Sequence, residues 1–138
     1  MKSAPFSRLV LDADDELAAW LGERLGLKFV PPFTTIGFAN DDGIQAVALF
    51  NNYTGTDIEL TLHADGLMDR HMCRVISDMV FNVNGCARCT ARTRADNPRA
   101  LKVLKVAGWK QEGVLREYFS GTDAVLFGML KRECRFLK

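Results

Sequence analysis

One stretch of this chain writes out both ends of a helix. Asn97 stands ready to cap it, Pro98 occupies its first position, and Gly108 can close it in a left-handed conformation. Between them Ala100, Val103, Leu104 and Ala107 group on one side and Lys102 and Lys105 on another. The helix is bounded by strands. Cys86 to Arg94 alternates upstream, with Arg88, Thr90, Arg92 and Arg94 on one face and Ala87, Cys89, Ala91 and Thr93 on the other. Downstream, Gln111 to Phe119 and Asp123 to Leu130 form a pair joined by Ser120-Gly121-Thr122, the second apolar on both faces and therefore central in a sheet. A helix so enclosed forces a β-α-β arrangement.

The first half carries compatible signals. Phe6 to Leu11 reads as a short strand, and an acidic start at Asp12 to Glu16 leads into a helix whose Leu17, Trp20, Leu21 and Leu25 share one face, with Gly26 ending it. Pro31-Pro32 marks a connection. Thr34 to Asn40 and Ile44 to Tyr53, separated by Asp41-Asp42-Gly43, form a hairpin. Asp57 to Ala64 alternates Ile58, Leu60 and Leu62 against Glu59, Thr61 and His63. A helix follows the loop 65–69, with Met72, Ile76, Met79, Val80 and Val83 as its apolar stripe, ending near Asn84-Gly85. The order β α β β β α β α β β predicts a mixed, mostly antiparallel α/β sheet flanked by helices.

At 138 residues the chain fits one domain, 1–138. It contains no apolar run long enough for a membrane span and no apolar leader, and its four cysteines suit a reducing compartment, so the expected location is cytoplasmic. The net charge of +1 is a cancellation of −6 over residues 1–66 and +7 over residues 67–138. Arg88, Arg92, Arg94, Arg99, Lys102 and Lys105 stand against Asp96 alone, a local +5 that suits an anionic ligand or a solvated basic face equally.

Three spaced motifs follow one another between Phe81 and Arg116. They are Phe81-Asn82-x-x-Gly85-x-x-Arg88-x-x-Ala91, Asn97-x-x-Ala100-x-x-x-Leu104-x-x-x-Gly108-Trp109, and Glu112-Gly113-x-Leu115-Arg116. Together they resemble the second half of the GNAT (GCN5-related N-acetyltransferase) superfamily, with the nearest likeness to its branch that acetylates ribosomal-protein N-termini and to small phage or prophage members. The element order fits the same family across nearly the whole chain.

The resemblance implies an N-acetyltransferase that moves an acetyl group from acetyl-CoA, or another acyl-CoA, to a primary amine by direct transfer. It implies backbone contacts from Leu62 and His63 to the pantetheine arm. The pyrophosphate would lie on N–H groups around Gly66, Leu67, Met68, Asp69, Arg70, His71 and Met72, where a helix start offers unpaired donors. Asn97 would reach the pantetheine arm or simply cap its helix, and Lys102 and Lys105 would lie near the adenosine phosphates. Leu104 occupies a cofactor-side position where the family often has a Tyr that protonates the leaving thiolate, a task leucine cannot do. The donor loop also departs from the family pattern, with one glycine and two acids. Small members of the family often pair as homodimers through terminal strands.

For the proton taken from an ammonium nucleophile, Glu59 is the first candidate and His63 the second, on the same strand face about 13 Å further along. A solvated carboxylate and a strand-end histidine are the competing assignments. Tyr118 and Ser120 are candidate acids, against strand packing and turn formation. Trp20 and Trp109 fall within apolar patterns and read as core. Cys86 and Cys89 form a lone pair that the pleat would send to opposite faces, so no metal site is expected. A second function class stays open, a catalytically degenerate GNAT-fold protein binding a partner or nucleic acid through its basic half; acylation of a nucleobase or another phage-associated target is a third.

Overall fold

The computed structural model describes residues 8–66 and 68–137. Phe6 and Ser7 of the predicted first strand, and Leu67 of the donor loop, lie outside the described residues. The elements run β1 (Arg8–Val10), α1 (Asp14–Leu25), β2 (Thr34–Asn40), β3 (Gly43–Asn51), β4 (Asp57–Ala64), α2 (Arg70–Ser77), β5 (Arg88–Arg94), α3 (Pro98–Val106), β6 (Lys110–Phe119) and β7 (Thr122–Leu130). They build a seven-stranded sheet in the order β1-β2-β3-β4-β5-β7-β6. Every neighbouring pair is antiparallel except β4 and β5. This is the predicted mixed α/β class, and β7, apolar on both faces, lies between β5 and β6.

The helices cover the sheet unequally. On one face α1 packs Leu17, Ala18 and Leu21 onto Val47 and Leu49 of β3. Gly22 sits within this helix because the chain doubles back against it: an added Cβ would lie 2.4 Å from the Leu27 carbonyl oxygen. On the opposite face α2 and the turn that continues it seal Phe38, Phe50, Ile58 and Leu60 with Met72, Ile76 and Val80. Leu101 and Leu104 of α3 pack on Ala91, Val125 and Phe127. The α1 face is therefore apolar over β3 and turns polar from β4 onward, through Glu59 and Thr61 to Arg88 and Arg92.

Two local expectations are corrected. The helix after the donor loop widens into a π-helical segment at Asp78–Val83, where Asn84 N–H donates to the Met79 carbonyl at 3.0 Å. The extra residue per turn rotates the end of the helix, so Phe81 is buried and Val83, expected in the stripe, is 66 % exposed. Cys86 and Cys89 do not separate across the sheet. β5 begins only at Arg88, so Cys86 precedes the pleat and both thiols enter the same core.

Candidate active site

β4 and β5 pair in parallel from Asp57↔Arg88 to Leu60↔Ala91 and then stop, although β4 continues to Ala64 and β5 to Arg94. The two strands splay into a V. The backbone of Thr61 to Ala64 thus has no β5 partner in the ladder, leaving donors and acceptors available to an extended ligand. On the α2/α3 side the V opens onto an apolar pocket lined by Leu62, Met68, Cys73, Val103, Leu104 and Phe136. On the α1 side it opens onto the polar half of the sheet.

That polar half holds two clusters. At the narrow end of the V, the Glu59 Oε1 atom lies 2.6 Å from Arg92 Nη2, and Asn52 Nδ2 donates to Oε2. The Arg92 guanidinium in turn lies 5.2 Å from the Tyr118 ring centroid. Burial raises the pKa of the Glu59 carboxyl, but the hydrogen bonds from Arg92 and Asn52 and the arginine charge outweigh it, leaving the pKa below the ordinary value. A carboxylate with both oxygens engaged and a lowered pKa is a poor proton acceptor. Glu59, the first candidate base, is the partner of Arg92 and Asn52 in this arrangement.

This pairing makes a stability prediction. Because the folded pKa lies below the unfolded one, the stabilisation is fully present above the ordinary glutamate range and is lost as the pH falls through the folded value. Glu59→Gln is expected to cost about 1 kcal/mol at neutral pH and to flatten the decline of Tm on acidification. Thermal melts between about pH 3 and pH 7 measure both.

The second cluster lies toward the open end. The Nε2 atom of His63 is 3.2 Å from Asp65 Oδ1, and Arg24 of α1 grips the same carboxylate. Trp20 is only half-buried, and its ring carries the Arg24 guanidinium 3.5 Å from its centroid. So Asp65, one of the two donor-loop acids, is engaged by α1 and His63. Its pKa is held down chiefly by the Arg24 hydrogen bond. Tyr118 is 44 % exposed and packs edge-on against Phe119. The backbone carbonyl of Ser120 receives Arg94 Nη2 at 3.5 Å, within the turn before β7.

The donor side is built around the start of α2. Asp69 caps it, accepting the Met72 N–H at 2.8 Å, with Arg70 and His71 exposed in the first turn. Arg99 donates to the Gly66 carbonyl at 2.9 Å and so ties α3 to the loop. Asn97 caps α3 through the Ala100 N–H at 3.2 Å, Leu104 is half-buried, and Lys102 and Lys105 are exposed. These features fit the pantetheine arm of a CoA molecule along the unpaired edge of β4, and they fit its phosphates less closely, because Asp69 brings a carboxylate to the helix end.

The basic run does not form one patch. Arg88 pairs with Glu112 at 2.7 Å and Asp57 at 3.4 Å, Arg92 with Glu59, and Arg94 with Asp96 at 3.0 Å, whereas Lys102 and Lys105 are exposed on α3. Gly128 leaves room for the first of these pairs, since a Cβ there would lie 2.3 Å from Glu112 Oε2. The sequence reading missed Arg24, Asp65, Asn52 and Arg92 as members of the site. Only the alternation of Asp57 and Glu59 against Arg88 and Arg92 carried a signal, and it becomes readable once β4 and β5 are set side by side.

The fold as a whole superposes on solved acetyltransferase structures. A spermidine N-acetyltransferase from Vibrio cholerae, in complex with CoA and spermine, superposes with a TM-score of 0.71 at 12% identity, covering 95% of this chain and 98% of that one. This chain has the GNAT fold. A ribosomal-protein-S5-alanine acetyltransferase from Vibrio fischeri gives 0.70 at 13% identity over 94% of this chain and 96% of that one. No family model and no curated protein matches the chain in sequence. Among the described residues no helix is long and apolar enough to cross a membrane.

Proposed function

We propose that this protein is an N-acyltransferase that passes an acetyl group from acetyl-CoA directly to a primary amine. The observation that carries the reading is the V between β4 and β5, with an unpaired backbone edge toward the donor side and His63 and Tyr118 on the face where an amine would enter. Bound acetyl-CoA supplies the activated thioester. Leu62 and His63 hold the pantetheine arm by their backbone groups, and the N–H near Leu62 polarises the reacting carbonyl. Gly66, Met68, Arg70, His71 and Met72 would surround the pyrophosphate, Lys102 and Lys105 would lie by the adenosine phosphates, and Asn97 and Leu104 would flank the arm. His63 takes the proton released by the amine, and Tyr118 returns one to the departing sulfur.

Asp69 tunes the donor side. A carboxylate cap competes electrostatically with a pyrophosphate for the same helix end. Serine caps about equally well without the charge. Asp69→Ser is therefore expected to tighten acetyl-CoA binding several-fold, about 1 kcal/mol, with little change in Tm. Unchanged or weaker binding in a calorimetric titration would sink this placement of the phosphates.

The acceptor we favour is a peptide α-amine. Asp57, Glu59 and Asp65 are each committed to an arginine, so they do not offer the free carboxylates a polycation would seek. An α-amine, with a pKa near 8, also releases its proton near neutrality far more readily than lysine or polyamine nitrogens above 10. Comparing CoA release with an alanine-initiated peptide and with spermidine tests the choice; faster turnover of spermidine overturns it. The cap at Asp69 also motivates a second reading, a GNAT-fold binding protein that does not use CoA. Its nucleic-acid version is disfavoured by the pairing of Arg88, Arg92 and Arg94.

A further inference from the structure

His63 belongs to a closed ring of four side chains contributed by α1 and the end of β4. Arg24 Nε lies 3.0 Å from Asp65 Oδ1 and its Nη2 lies 3.1 Å from Oδ2, a two-pronged grip on one carboxylate. Arg24 is itself oriented, because Nη1 donates to the Trp20 carbonyl at 3.2 Å and the guanidinium stacks on the Trp20 ring. Trp20 closes the ring from the other side, its centroid 6.1 Å from that of His63. The Asp65 backbone is pinned as well, its N–H donating to the Gln45 carbonyl at 2.8 Å. Nothing in this arrangement is needed to end a strand. A turn residue alone would do that.

We propose that Asp65, clamped by Arg24, is a positioning residue that holds the His63 ring with its proton on Nε2 and its lone pair on Nδ1. The proposal rests on the acyltransfer reading above. A carboxylate only accepts, so the contact is a hydrogen bond when Nε2 carries the hydrogen. Nδ1 is then the nitrogen that takes the proton as the amine forms its C–N bond and the thioester C–S bond breaks. The new imidazolium charge faces the Asp65 carboxylate. The two-pronged guanidinium fixes the plane of that carboxylate, a geometry lysine does not reproduce. Through this chain the packing of α1 governs the orientation of the base on β4.

The chain has two histidines, His63 and His71, so imidazole nitrogen shifts are readily assigned. At pH 8 nitrogen-15 spectra of the full chain are expected to show His63 as the Nε2–H tautomer, with Asp65→Asn shifting it toward Nδ1–H, because the amide can turn its NH2 to the ring. In assays of CoA release from acetyl-CoA with an alanine-initiated peptide or spermidine, Asp65→Asn is expected to lower kcat at least about tenfold and to leave KM for acetyl-CoA within about threefold. Arg24→Ala is expected to follow Asp65→Asn, and Arg24→Lys to recover part of the loss. An Asp65→Asn variant with unchanged tautomer and unchanged kcat overturns the positioning role while the acyltransfer reading stands. So does a loss that appears only in KM for acetyl-CoA, which would assign Asp65 to the donor loop. A wild type that acetylates neither acceptor overturns both. Should Asp65→Asn fail to fold, the Arg24→Lys and Arg24→Ala pair decides by the same tautomer and kcat criteria.

Discussion

His63→Ala is expected to lower kcat for acetyl transfer by about 10²–10⁴-fold, the range that a positioned general base supplies. The reasoning starts from the sheet. Beyond Leu60↔Ala91 the strands part, and His63 projects from the free portion of β4 to the face opposite the apolar donor pocket. The two carboxylates on that strand face are engaged elsewhere, Asp57 by Arg88 and Glu59 by Arg92 and Asn52. The backbone of residue 63 remains in place in the alanine variant, so acetyl-CoA affinity should change little. A kcat that falls with KM for acetyl-CoA unmoved is the signature of a group acting in the transition state. Steady-state kinetics with the alanine-initiated peptide provide both numbers, and a kcat within about threefold of wild type would remove His63 from the chemistry.

Phe127→Ala is expected to be strongly destabilising. Phe127 has no exposed surface and sits on β7, the strand between β5 and β6, where it packs with Ala91 and Val125 beneath α3. Removing a buried phenylalanine costs about 3–5 kcal/mol, which is a third or more of the stability of many domains. In a domain of this size that corresponds to a fall in Tm of roughly 10–20 °C. The effect should reach the site too, since Leu104 of α3 borders both this core and the donor pocket. Thermal unfolding followed by circular dichroism measures it. A loss under about 1 kcal/mol would mean that α3 is not seated on β7.

Much of the architecture was written locally. Asn97, Pro98 and Gly108 delimit α3 within two residues, the alternation of Ile58, Leu60 and Leu62 against Glu59 and His63 marks β4, and the two-sided apolar character of β7 places it inside the sheet. The site was less legible, because its bonds are long-range. Arg24 and Asp65 stand 41 positions apart with no repeating pattern between them, and Asn52 reaches Glu59 from the turn that precedes β4. The basic run was misleading for a related reason. Its alternating arginines lie on a strand, so Arg88, Arg92 and Arg94 share the acceptor face and meet carboxylates there, while Lys102 and Lys105 lie on the helix across the sheet. Local charge counts do not contain strand pairing. The end of the second helix shows the same limit on a smaller scale, since the π-helical turn that buries Phe81 instead of Val83 follows from packing against Cys86 and the core and not from periodicity.

The central claim is that the cleft beside residues 61–64 takes an acyl-CoA. Isothermal titration of the purified protein with acetyl-CoA tests it without any knowledge of the acceptor. The account predicts saturable binding at a single site with a Kd of about 1–100 μM, in the lower part of the range of roughly 1 μM–1 mM usual for enzyme substrates. Absence of heat and of any thermal stabilisation up to about 1 mM acetyl-CoA, where even a weak ligand should raise Tm, would contradict it.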